Sequence, residues 1–385
     1  MTLQDFVARD WQQDATAFVP VLFQLAAGER ERLEQLAADK GITLRDTLSR
    51  QLAEWVRIEL PTEPAGSATA QALLTAEVQG EPAPYASYGY WCYLPWRRVL
   101  THLLPPHRYF AVRTNRNRDK ITLAEQTVLR QKRVGVVGLS VGHSAAMVLA
   151  QEGLCGELRI ADFDTLDLSN LNRLRTSIAQ LGDAKVHIAR RDLAEIDPYL
   201  PVRTFEQGIT DDNIEAFFVE GGPLDLVVEE CDTLPIKLRV REVARRLGIP
   251  VVMDTNDRGL LDVERFDREP QRPLLHGLMG QHTAATAQLV PREERLALFY
   301  GFFGGESQVS PAFRRSMQKI GRELVSYPQL ASDVSLGGAL VGHASRMVLL
   351  DRLQRSGRFA IDLDELIHDR ADPLASPPQS SDSKP

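Results

Sequence analysis

Residues 133–175 read RVGVVGLSVGHSAAMVLAQEGLCGELRIADFDTLDLSNLNRLR, and they decide the fold. An apolar run, a glycine turn, an apolar helix, a second apolar run and an acid follow one another. That order is the opening of a nucleotide-binding α/β unit. Gly138 and Gly142 sit in the turn, with Ser140 between them, where free N–H groups at a helix start can face phosphate. The spacing departs from a full G-x-G-x-x-G, so a purely steric glycine turn explains it equally well. Asp162 ends the second run about twenty residues beyond Gly142, a separation that suits an acid bonding ribose hydroxyls. To this point a nicotinamide site and an adenine-nucleotide site are both open.

The block Asp162–Arg173, DFDTLDLSNLNR, separates them. Ser169, Asn170 and Arg173 have a helical spacing that turns Asn170 and Arg173 to one side. A guanidinium with a nearby amide matches the oxygens of a polyphosphate better than a nicotinamide ring. Asp164 and Asp167 serve equally well as caps of a short turn. Lys185 opens the next predicted helix, in GDAKVHIARRDLAEIDP, from where a lysine can reach phosphate. Asp232 and Thr233 follow the apolar run of LVVEECDTLPIKLRVR, at the carboxyl edge where open α/β sheets bind ligands. A carboxylate there beside phosphates suits Mg²⁺ completed by water and phosphate oxygens. Each residue has a structural alternative: Arg173 a surface charge, Lys185 a helix face, Asp232 the N-cap of the following helix.

Outward from this stretch, short apolar runs predict strands at 134–137, 158–161, 202–205, 226–229 and 251–253. Helices are predicted between them at 144–151, 184–194, 212–218 and 235–247. Such strands fit a mainly parallel, doubly wound Rossmann-like sheet with helices on both faces. DRGLLDVERFD (257–267) adds a further strand and 330–354 a long apolar helix. Upstream, 27–41 and 44–60 carry helical periodicity, PTEPAGSATAQ (61–71) reads as a linker, and YASYGYWCYLPW (85–96) is an aromatic patch. Three regions result: a mostly helical accessory region at 1–105, an α/β domain at 106–357, and a C-terminal extension at 358–385 whose Pro/Ser-rich tail is expected to be disordered.

Composition is that of an ordinary globular protein: 385 residues, 43% hydrophobic, 25% charged. A net charge of -7 disfavours a nucleic-acid coat. The N-terminus lacks the pattern of a secretory signal, and no apolar run approaches a membrane span. Three scattered cysteines, Cys92, Cys155 and Cys231, suit a reducing cytoplasm rather than a disulfide framework or a Cys-x-x-Cys zinc site.

From Arg116 to about Leu353 the sequence resembles the ThiF/MoeB/HesA adenylyltransferases, relatives of the ubiquitin-activating enzymes. The glycine turn, DFD…SNLNR, the lysine of GDAK and the strand-end Asp232 stand in the family order. Gln126 fits the lead-in to the first strand, and PQLASDVSLGGAL (328–340) the late return to the sheet. The resemblance implies that Asp162 binds ribose, that Asn170, Arg173 and Lys185 hold the triphosphate of ATP, and that Asp232 holds Mg²⁺. It also implies an arginine reaching into a partner subunit's site, hence a homodimer. VRTNRNRDK offers Arg113, Arg116 and Arg118, with Arg116 preferred on its spacing to Gln126.

The implied reaction is activation of a carboxylate as an acyl-adenylate, the substrate being the C-terminus of a ubiquitin-like or sulfur-carrier protein, or a peptide. Many relatives capture the acyl group on a downstream cysteine and bind structural zinc through paired cysteines. Here no cysteine follows Cys231, so neither a thioester on this chain nor zinc is expected. The alternatives are an inactive scaffold of the same fold and an NAD-dependent oxidoreductase, which leaves Asn170, Arg173, Lys185 and Asp232 without work. His276 and His282 show no carboxylate partner in sequence and read as structural. Tyr88, Tyr90, Trp91, Tyr93 and Trp96 form either a core or interdomain contact or a peptide-docking face.

Overall fold

The computed structural model describes residues 17–25, 28–291 and 294–367. The proline- and serine-rich tail lies outside them.

Eleven strands fall into two sheets among the described residues. The first four are β1 (Val21–Phe23), β2 (Thr43–Asp46), β3 (Tyr90–Leu94) and β4 (Val99–Leu103). They build a small sheet in the order β1-β3-β4-β2, packed with helices Arg30–Ala38, Leu48–Glu59 and Ala68–Glu77. In the N-terminal region helices hold more residues than strands do, but it also contains a sheet that sequence reading did not place. Residues 44–46, read as the start of a helix, pair in parallel with β4 instead. Leu44 is exposed and Leu48, Leu52 and Trp55 are buried, so the apolar period that marks the helix begins only at Leu48.

The large sheet contains β5 (Arg133–Val137), β6 (Glu157–Ala161), β7 (Val202–Phe205), β8 (Leu226–Glu229), β9 (Val251–Asp254), β10 (Leu260–Glu264) and β11 (Gly357–Ala360). Its order is β11-β10-β9-β8-β5-β6-β7. The five strands from β9 to β7 are parallel; β10 and β11 close one edge antiparallel. The expected boundary at 357/358 falls within β11.

Alternation along each strand feeds two cores. Val134 and Val136 of β5 join Ile160, Val228 and Val252 beneath helices Gly142–Glu152, Lys185–Ile196 and Ala331–Leu349. Val137, Ala161, Val227 and Val251 face the opposite side, beneath Ile214–Val219 and Leu234–Leu247. The strands and helices predicted between 134 and 253 are present with ends shifted by two residues or fewer, while the late helix, expected over 330–354, ends at Leu349. Both faces are covered, which is why the strands read as unbroken apolar runs.

From β5 the chain steps to β6 and β7 on one side, then returns to β8 and β9 on the other. Loops leaving β5 and β8 at their carboxyl ends therefore diverge, opening a crevice between them. Gly138 makes the crevice narrow: its φ is +84°, and a Cβ there would stand 2.7 Å from the Glu230 carbonyl oxygen.

Candidate active site

A cavity of about 90 Å³ occupies that crevice. Gly138 and Ser140 from the β5 turn, Asp162 and Asp164 beyond β6, and Asp232 and Thr233 beyond β8 all line it. Six predicted site residues, separated by up to 95 positions, are thus brought to one place.

Asp162 is 8% exposed and organises the floor. Its Oδ2 accepts the Leu139 N–H at 2.6 Å and its Oδ1 the Asp164 N–H at 2.7 Å. Burial pushes its carboxyl above the ordinary range, while those two backbone donors pull it down. Each oxygen keeps a lone pair for a ligand hydroxyl. Ser140 carries a buried hydroxyl with no hydrogen-bond partner. Gly142 lies inside the helix start rather than in the cavity; a Cβ there would meet Val136 Cγ1 at 2.8 Å, so its role is packing.

Neither predicted cation lines the cavity, and the chain already engages both. Lys185, 7% exposed, donates to Asp164 Oδ2 at 2.8 Å. Arg173 donates to Asn172 Oδ1 at 2.9 Å and to the exposed Ser169 through its carbonyl at 3.4 Å. Asn170 does not project as its helical spacing suggested. It is buried, and its Oδ1 accepts the Asp167 N–H at 3.0 Å, closing a capping box on a short 3₁₀ turn. Asp167 is the cap, as one alternative held.

Asp232 is not the N-cap of Leu234–Leu247; Thr233 occupies that position. Asp232 is exposed, and its Oδ1 accepts the Tyr327 hydroxyl at 2.6 Å. Burial and the Asp232 charge push the Tyr327 hydroxyl well up. Sequence reading missed Tyr327, which precedes the late helix by four residues. The SNLNR turn reaches the same segment through Asn172 Nδ2, 2.8 Å from the Gln329 carbonyl.

Also missed was a charged layer beneath the β8 loop. Arg241, fully buried, bonds Glu229 at 2.5 Å and Glu264 at 2.5 Å. Glu229 in turn accepts the Cys231 N–H at 2.9 Å and its thiol at 2.7 Å. Burial and the Glu229 charge push that thiol well above its usual range. The pair of acids in VVEECD was the only sequence signal.

The remaining expectations divide. Arg113 is committed within the fold: Nη1 donates to the Ala150 and Gln151 carbonyls and Nη2 to Asp197. Gln126 and Asn117 bond the carbonyls of Glu152 and Gly153, so this lead-in caps the helix Gly142–Glu152. Arg116 and Arg118 are exposed. His276, expected without an acidic partner, has Nε2 3.0 Å from Oδ1 of Asp262 on β10. His282 is exposed. The aromatic patch is interior and interdomain: Tyr93 is buried, Trp91 stacks on His102, and Trp96 bonds Glu195 of the sheet domain.

A doubly wound sheet with a glycine turn, a ribose-spaced acid and an acid-bearing loop around one switch-point cleft defines a nucleotide-binding class of protein. Residues 114–311, just over half of the sequence, match the ThiF family, and the chain belongs to that family. It is 39% identical over 349 residues to the uncharacterized protein MT1398 of Mycobacterium tuberculosis (strain CDC 1551 / Oshkosh), covering 91% of this chain and 45% of that protein. It is 32% identical over 162 residues to the molybdopterin-synthase adenylyltransferase of Escherichia coli K12, covering 41% of this chain and 64% of the relative. The tRNA threonylcarbamoyladenosine dehydratase of Bacillus subtilis 168 is 28% identical over 154 residues, covering 39% and 59%. The chain therefore spans less than two thirds of the length of each of these relatives.

Proposed function

We propose that this chain is an adenylyltransferase that activates a carboxylate with ATP. The observation that carries the reading is the single cleft lined by Gly138, Ser140, Asp162, Asp164 and Asp232, with Lys185 tied to its rim through Asp164. In this reading Asp162 accepts the ribose hydroxyls. Lys185 exchanges Asp164 for phosphate, an exchange favoured because a polyphosphate carries more charge than one exposed carboxylate. Arg173 gives up neutral acceptors for the same purpose, while Asn170 shapes the turn and offers its amide. Ser140, Ser169 and Thr233 supply hydroxyls around the phosphates, and the turn from Gly138 to Gly142 supplies backbone N–H groups.

Among the described residues no cluster of three or more His, Cys, Asp or Glu side chains stands ready to hold a metal by itself. One exposed carboxylate with an oxygen open beyond the Tyr327 bond still fits a cation that arrives with the triphosphate and its waters. Bound there by Asp232, Mg²⁺ would neutralise charge gathering on the phosphate oxygens.

In the reaction a substrate carboxylate oxygen attacks the α-phosphorus of ATP. The bond to the bridging oxygen breaks, and pyrophosphate departs with that electron pair. No proton transfer is required, so placed cations do most of the work. The thiols of Cys92 and Cys155 are pushed up to about 12 by burial, and that of Cys231 well up, which favours the thiol over the thiolate nucleophile. The reading therefore passes the acyl group to an external acceptor, with no thioester on this chain and no zinc. Its substrate would be a ubiquitin-like or sulfur-carrier protein tail, or a peptide. A homodimer, with Arg116 reaching the partner's site, completes it.

Pyrophosphate exchange with supplied carboxylates tests the reading, alongside thermal stabilisation by ATP-Mg²⁺ against NAD. Lys185→Ala and Asp232→Ala should each lower exchange by at least 100-fold while leaving the fold intact. Wild-type exchange rates in both variants would remove the site assignment.

A further inference from the structure

Behind Asp232 lies a second cavity, of about 40 Å³, that shares Glu230, Cys231 and Asp232 with the nucleotide cleft. It has room for an ammonium-sized group and little more. Phe299, Phe313 and Tyr327 form part of its wall, their rings packed against one another at 5.7–6.4 Å. Its floor is polar. Asp254 is 3% exposed; its Oδ2 accepts the Asn256 N–H at 2.8 Å, and its Oδ1 has no hydrogen-bond partner. Asn256 Oδ1 is likewise buried and unpartnered. Glu230 completes the floor, one oxygen accepting the Asp254 N–H at 2.9 Å.

Three acids, Glu230, Asp232 and Asp254, thus line the cavity, and burial raises the Glu230 and Asp254 carboxyls; the one cation there, Lys237, is already held by both oxygens of Glu229 at 3.3 Å and lies 5.3 Å from the Phe302 ring centre. Buried acceptors left without donors are costly, and they are satisfied by a ligand that brings N–H groups. A protonated amine brings three N–H donors, favours the ionised form of the buried acids and is favoured by aromatic faces. A carboxamide supplies donors without charge; a carboxylate or an alkyl group supplies neither. The fold makes room deliberately close to the acid: at Gly337 of the late helix, a Cβ would stand 2.2 Å from Asp254 Oδ2.

We propose that this cavity receives the ammonium group of the same molecule whose carboxylate is adenylated, so that the substrate is an amino-bearing carboxylate. The proposal rests on the adenylation reading and names its substrate class. The shared residues Glu230, Cys231 and Asp232 place the ammonium pocket next to the phosphate cleft, as one bifunctional molecule requires.

The experiment uses the full chain. Unbranched ω-amino carboxylates from 3-aminopropanoate to 6-aminohexanoate are titrated without nucleotide, each against the alkanoate with methyl in place of ammonium and against its ω-carboxamide. At least one amine should bind tenfold or more tighter than both counterparts, and Asp254→Asn should erase that preference. Asn256→Gly, which keeps the left-handed backbone while removing the acceptor, should weaken it as a second check. Stabilisation by ATP-Mg²⁺ should be unchanged in both variants. Equal binding of the alkanoate or the amide, no binding by any amine, or a preference that survives Asp254→Asn overturns the proposal. Absence of ATP-Mg²⁺ stabilisation in the wild type counts against the adenylation reading instead, because amine binding is measured separately.

Discussion

Asp254 carries a carboxyl pushed up to about 7, chiefly by burial, with the neighbouring Asp333 charge adding to the rise. An unfolded chain releases that proton near the ordinary aspartate value, about 4. Between those two pH values the folded form holds the extra proton, so stability falls as pH rises through the window. The loss is on the order of a few kcal/mol. Asp254→Asn removes this titration, and the drop in Tm between pH 5 and pH 8 should be smaller in the variant than in the wild type. Cys231 makes a second prediction. Its thiol donates to Glu229 and is held protonated, so Cys231→Ser should retain pyrophosphate exchange within about threefold, well under the 1.4 kcal/mol of a tenfold change. A loss of exchange comparable to that of Lys185→Ala would instead make the thiol a reacting group. At this scale Asp162, Asp232 and Lys185 were legible because chain position alone sets them at strand and helix ends. Asp254 ends a strand in the same way, yet nothing in VVMDTND tells that its carboxyl lies 3% exposed beneath aromatic rings supplied some fifty to seventy residues later.

Among the elements, the helix Leu234–Leu247 shows where sequence reading stops. Arg241 falls among Arg239, Arg245 and Arg246, and by composition it belongs to a solvated helix face. It is buried because Glu229 on β8 and Glu264 on β10 meet over it, two strands apart in the sheet. Arg241→Leu leaves the buried Glu264 without its cation and Glu229 with Lys237 alone, and should cost about 3–5 kcal/mol in urea denaturation. The same change should loosen the loop that holds Cys231 and Asp232, seen as faster amide exchange at residues 230–233. The helix Gly142–Glu152 gives a milder case. Gln126 bonds the carbonyls of Glu152 and Gly153 at its C-terminal end, and Gln126→Ala should lower stability by about 1–3 kcal/mol without touching the cleft. Sequence supplied the position of that glutamine through family resemblance; the physical reason for it is the set of helix-end carbonyls it satisfies.

Across the whole molecule, the N-terminal region and the sheet domain meet through a few directed contacts. Glu195 accepts from Trp96 Nε1 at 2.6 Å and from Arg97 Nε at 2.8 Å, and Tyr199 donates to the Leu104 carbonyl at 2.7 Å. Glu195→Ala should therefore raise amide exchange in β3 and β4 while leaving β5 and β6 protected. Equal protection in both sheets would mean that other contacts hold the two parts together. Similarity to MT1398 covers 91% of the chain, so the N-terminal region is part of what the two proteins share. The small sheet escaped sequence reading because its strands are three to five residues long and pair β2 with β4 across more than fifty residues. A period-two signal that short is lost beside the longer helical runs.

By itself the sequence determined the alternation of strand and helix in the large domain, the two-sided burial of its sheet, and which acids and cations stand at the carboxyl ends. Those follow from local apolar period and from chain position, which one stretch of sequence carries. Only the tertiary structure decided that Asn170 turns into its own loop, that Lys185 pairs with Asp164, that Tyr327 donates to Asp232, and that Asp254 and Asn256 open beneath aromatic rings. Each of these depends on groups distant in the chain being brought within hydrogen-bond reach. Short-range pattern fixes which face of an element is buried, but not which partner waits there.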